Sequence, residues 1–147
     1  MTTRELYSSI GVSGYDHQGC WRKGGIFHIR MEAPLSCHRC PKCGDRNVIH
    51  RGTFDRMVHA PRIGLDRTVL FIRAPRLECR RCQQVLNAML PQVEPHCNYT
   101  KSLARLVVDL RKMMTIKDLA QYVGVSDTMI RGIDRKYLNR KFGKPRL

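Results

Sequence analysis

The sequence predicts an α+β protein, and three observations carry that prediction. Two cysteine pairs at C-x-x-C spacing, Cys40-Pro41-Lys42-Cys43 and Cys79-Arg80-Arg81-Cys82, bracket a stretch rich in β-branched and aromatic residues. Beyond residue 100, apolar residues recur at helical spacing. Inside that tail, a small residue, a glycine and two capping residues fall in the order that a helix-turn-helix requires. The expected architecture is a zinc-ribbon-like β module followed by a small three-helix helix-turn-helix domain. Three segments are expected: an N-terminal β hairpin region over residues 1–36 that packs on the zinc module, the zinc-ribbon-like module and its connector over 37–99, and the helix-turn-helix domain over 100–147.

The N-terminal segment holds the fewest signals. Thr2 to Ile10 fits a short helix with Thr3 as its N-cap. Gly24-Gly25 precedes a run in which Phe27, Ile29 and Met31 alternate with His28, Arg30 and Glu32, the pattern of a half-buried strand. A partner strand before Gly24 would complete a hairpin, and Pro34 ends it. The expected role is to pack on or orient the zinc module.

Next come the cysteines. The chain has seven, an odd number, and four sit in the two pairs. A C-x-x-C turn aims two sulfurs at one ion, and two such turns close a tetrahedral zinc site. Cys37 and Cys40 also stand at that spacing. Gly44 after Cys43 favours the second pair, because glycine tolerates the left-handed turn that points backbone N–H groups at the sulfur. Cys40, Cys43, Cys79 and Cys82 are the expected ligands of one structural Zn2+, with Cys37 and His38 as spares. Four thiolates leave no position for a reactive water, so hydrolysis at this metal is not expected. Cys97 reads as a buried or free thiol.

Between the knuckles, Val48–Arg51 is expected as a short strand, with a turn at Gly52. Phe54–Ala60 is expected as a second strand stopped by Pro61, and Arg67–Arg73 as a third. Arg51, Arg56, Arg62, Arg67, Arg73 and Arg76 lie here, facing either solvent or phosphate. Residues 83–99, with Pro91 and Pro95, are expected as a connector.

In the tail, Thr100 fits an N-cap before Leu103, Leu106, Val107, Leu110 and Met114, one apolar stripe. Thr115 caps a second short helix with Leu119 and either Tyr122 or Val123 inward. Ala120 is small at a close crossing, and Gly124 supplies the turn. Ser126 caps the third helix, whose inner face holds Met129, Ile130 and Ile133. Its outward Thr128 and Arg131 are expected near base edges and Arg135 and Lys136 on phosphates of double-stranded DNA. Gly132 weakens that helix by about 1 kcal/mol relative to alanine.

Charge agrees with a nucleic-acid partner. Lys and Arg number 27 against 12 Asp and Glu, a net charge of +15. The first 36 residues contribute +1, residues 37–100 contribute +6, and the tail contributes +8. A surplus of this size favours polyanions. No apolar run approaches transmembrane length and no secretory signal is visible, so a cytoplasmic location with reduced thiols is expected and no membrane partner.

The ordered set of a C-P-x-C-G knuckle, a basic β insert, a C-R-x-C knuckle, a helix and a helix-turn-helix ending near Phe142-Gly143-Lys144-Pro145 resembles the N-terminal region of ISL3 insertion-sequence transposases. The resemblance implies a zinc finger and helix-turn-helix that recognise the terminal inverted repeats of the element. In that family a ribonuclease-H-like domain with metal-binding acidic residues comes after them, and no such set is read here. The chain is expected to bind DNA without cutting it. Two alternatives stand beside that reading: a share in an active transposase with a separate catalytic domain, and a zinc-ribbon regulator of transcription or RNA. A homodimer is left open.

Overall fold

The computed structural model describes residues 2–143; Lys144 and Pro145 of the resemblance lie outside them. Helix α1 (Thr3–Ser9) leads into strands β1 (Asp16–Lys23) and β2 (Ile26–Glu32). A single 3-10 turn at Leu35–Cys37 precedes the first knuckle. Strands β3 (Val48–Ile63), β4 (Asp66–Cys79) and β5 (Gln84–Asn87) come next, then helices α2 (Lys101–Leu110), α3 (Ile116–Val123) and α4 (Asp127–Phe142). The fold is α+β, with the sheet preceding the three-helix tail.

The cap of α1 is Thr2 rather than Thr3. Its hydroxyl accepts from the Glu5 N–H at 3.2 Å while the Glu5 carboxylate accepts from the Thr2 N–H at 2.7 Å. This reciprocal pair needs Glu at the third helical position, which only the earlier cap supplies.

The five strands form one sheet in the order β1-β2-β4-β3, with β5 also on β4. β2 runs parallel to β4, from Ile26 opposite Arg67 to Glu32 opposite Arg73. The N-terminal hairpin is thereby part of the same sheet as the strands between the knuckles. The two expected strands at 48–51 and 54–60 are one strand, β3, with irregularities at His50/Thr53 and Ala60/Ile63. Gly52, at φ 87°, absorbs the first irregularity without breaking the ladder. Pro61 does not end the strand because β3 lies at the edge of the sheet, where a missing N–H is tolerated.

One face of the sheet carries the larger core. Ile29, Met31, Val58, Leu70, Ile72 and Ala74 are buried against Tyr7, Ile10, Val12 and Tyr15 from the N-terminal segment. On another part of the sheet Trp21, His28 and Phe71 lie parallel, with centroids 5.1–5.9 Å apart, and Arg30 covers the Trp21 ring. These contacts join β1 and β2 to β4.

A second core belongs to the tail. Leu103 and Val107 of α2, Leu119, Ala120 and Val123 of α3, and Ile130 and Ile133 of α4 are buried around Tyr99. Of the two alternatives for the inward residue of α3, Val123 is buried and Tyr122 exposed. The helices start at Thr100, Thr115 and Ser126, each accepting an N–H from the third residue on. The cores are tied together by polar contacts: Ser102 Oγ donates to the Ile10 carbonyl at 2.7 Å, and the Thr100 N–H donates to the His59 carbonyl at 3.0 Å. No helix among the described residues is long and apolar enough to cross a membrane.

Candidate metal centre and nucleic-acid interface

The knuckles meet because β3 leaves the first and β4 enters the second, and Val48 pairs with Cys79. The sulfurs of Cys40, Cys43, Cys79 and Cys82 all lie within 4.8 Å of one another. Cys40 to Cys82 is 3.8 Å and Cys43 to Cys79 is 3.6 Å. A tetrahedral zinc with Zn–S bonds of about 2.3 Å needs sulfur edges of about 3.8 Å. The spacing fits one structural zinc held by these four residues, and the thiolate set suits that soft ion.

Both turns direct backbone donors inward. The Lys42 N–H reaches Cys40 Sγ and the Cys82 N–H reaches Cys79 Sγ, each at 3.4 Å. Each turn then closes with a left-handed residue. Gly44, φ 74°, donates to the Cys40 carbonyl, and Gln83, φ 55°, donates to the Cys79 carbonyl. Gln83 thus does for the second knuckle what Gly44 does for the first. Its position, one beyond the second cysteine of the pair, was the available signal.

The thiols do not ionise alike. Backbone N–H groups, that of Cys43 first and that of Lys42 after it, bring Cys40 down to about 6. Contact with the Cys43 thiol, then burial and the neighbouring Cys40, pushes Cys82 up to about 12. Four thiolates this close repel one another, and a bound dication removes that repulsion. Cys37 is elsewhere: it is buried with Leu77 and Ala88, and burial raises its thiol. The four-sulfur cluster contains neither Cys37 nor His38.

At the other end of the β3–β4 hairpin, two arginines grip the helix-turn-helix. Arg62 donates to the Tyr122 carbonyl at 2.7 Å and lies 4.5 Å from the centre of the Tyr122 ring. Arg67 donates to the Gln121 carbonyl at 2.6 Å. These carbonyls end α3, where the helix leaves acceptors unpaired and a cation is favoured. Of the arginines read as facing solvent or phosphate, these two serve as helix C-caps. Sequence reasoning missed them because the capped carbonyls lie more than fifty positions away.

The turn after α3 uses Gly124 at φ 85°, and its N–H donates to the Ala120 carbonyl. Ser126 starts α4 by accepting the Met129 N–H at 3.2 Å. Thr128, Arg131 and Arg135 are exposed on the side of α4 away from Ile130 and Ile133. Lys136 is placed differently. Its Nζ lies 3.7 Å from a Glu94 carboxylate oxygen and 3.4 Å from Cys97 Sγ, tying α4 to the connector.

A four-cysteine zinc ribbon whose hairpin holds a helix-turn-helix defines the class of protein. Two family models match the chain: the helix-turn-helix domain of transposase family ISL3 over residues 88–138, and the zinc-finger of transposase IS204/IS1001/IS1096/IS1165 over residues 36–82. Together they span more than half of it, and the chain belongs to the ISL3 transposase family as its DNA-binding zinc-ribbon and helix-turn-helix region. No curated protein and no solved structure matches the chain.

Proposed function

We propose that this chain recognises a specific duplex sequence, the terminal repeat of a transposable element, through α4. The observation that carries the reading is the shared exposed face of Thr128, Arg131 and Arg135 at and beyond the capped start of the second helix of the motif. That part of a helix-turn-helix enters the major groove, so Thr128 and Arg131 reach base edges and Arg135 reaches a phosphate. Ser126 sets the start of the helix, and Lys136, paired with Glu94, sets its angle to the connector rather than touching DNA.

The knuckle end supplies a second contact. Arg39, Lys42, Arg46, Arg80 and Arg81 are exposed there. Strand β4, 14 residues long, separates that end from the helix-turn-helix. At about 3.3 Å per residue this is at most roughly 45 Å, or about 13 base pairs. The expected footprint has two protected patches about that far apart.

Selection from a random duplex pool tests the reading. A single enriched motif is expected. Arg131→Ala should relax one position in it and lower discrimination there by about 1–3 kcal/mol. Equal binding to RNA and to duplex DNA, with no enriched motif, would refute it.

A further inference from the structure

We propose that the turn end of the sheet is a separate DNA contact beside α4, working as a wing on the flanking backbone. The inference rests on the reading of α4 as the major-groove helix, and it concerns residues outside the three helices. Two turns share this end of the sheet. Lys23 ends β1 at the β1–β2 turn, and the β3–β4 turn carries Gly64 and Leu65. The register sets Lys23 opposite Ile26 and Ile26 opposite Arg67. Lys23 therefore stands two strands from Arg67, roughly 10 Å away. Arg22 locks the turns together through Asp66 at 2.7 Å.

This end is fixed to the reading motif rather than free. Arg67 bonds the last turn of α3, and its side chain packs on Gly124, two residues before the Ser126 cap. Arg67 and Lys117 line one concavity of about 360 Å³ with Gln121, Gly124 and Asp127. A duplex seated on the start of α4 thus runs past the two turns. What they present suits a polyanion with an accessible groove. Lys23 is exposed and enters no ion pair among the described residues. Leu65 is 92% exposed at the tip, where no packing among the described residues accounts for a large apolar side chain. Apolar tips of this kind occur where proteins press on the minor groove. The occupant is the duplex next to the α4 site, with Lys23 on its phosphates and Leu65 over its minor groove, while Arg67, held on the Gln121 carbonyl, fixes the two turns to the motif.

Salt titrations and hydroxyl-radical footprints of the full chain with zinc, on the selected duplex, test this. Lys23→Gln should reduce the slope of log K against log salt by about 0.9, one phosphate contact. It should also erase backbone protection on one flank of the α4 site while the base preference stays. Leu65→Asp should erase the same flank. Unchanged thermal melting of both variants shows that the fold is kept. Wild-type slope and flank protection in both variants would overturn the wing while an Arg131→Ala effect on base preference still upheld α4. A wild-type chain that selects no duplex would remove both readings.

Discussion

Replacing Gly124 with alanine probes the joint between the sheet and the reading motif. At φ 85° an alanine is strained by about 1–2 kcal/mol. Its Cβ would also stand 2.5 Å from Arg67 Cδ and 3.1 Å from Arg67 Nε. Arg67 must swing out, and its 2.6 Å bond to the Gln121 carbonyl breaks. A hydrogen bond from a charged group contributes about 1.5–3 kcal/mol; Arg67 is exposed, so the low end applies. The expected loss is about 3 kcal/mol. Urea unfolding at saturating zinc, monitored by circular dichroism, measures it. In an Arg67→Ala background only the backbone strain remains, so the same substitution should destabilise by about 1–2 kcal/mol, with coupling of about 1.5 kcal/mol. Equal losses in both backgrounds would refute the contact between Arg67 and the turn.

Other outcomes concern the metal centre. Metal analysis should find one zinc per chain, and Cys82→Ser should lose it and unfold at lower temperature, while Cys97→Ser keeps both. Gln83→Gly relieves a left-handed non-glycine residue and should raise stability by about 1 kcal/mol, read as a higher melting temperature; no change would remove the strain assigned there. Zinc affinity should weaken as pH falls. Cys82, pushed up to about 12 without metal, is protonated across the neutral range and must release that proton on binding. Competition with a chelator between pH 6 and pH 8, with the affinity rising at least tenfold per unit, checks the sign.

The legible parts of this protein are those set by near neighbours in the chain. Two C-x-x-C turns, the Thr100, Thr115 and Ser126 caps and the left-handed Gly124 each need only a few consecutive residues, and each is where the sequence places it. The alternation over 26–32 is likewise a local pattern. What was illegible needed partners far away. The continuity of β3 through Gly52 and Pro61 depends on β4 holding the ladder on one side only. Strand β5 has four residues and forms because β4 offers it an edge.

By itself, the sequence determined the zinc chemistry, the class of partner and the caps of the three tail helices, because spacing, charge and caps act over short distances. Tertiary structure alone decided how these are joined. It turned Arg62 and Arg67 from surface charge into caps on α3, and it gave Lys136 an ion pair with Glu94. It also set the knuckles and the helix-turn-helix at opposite ends of one hairpin. Charge and composition do not carry that information: an arginine's role is set by which carbonyl or phosphate lies within reach of its guanidinium, and the folding of the sheet determines that.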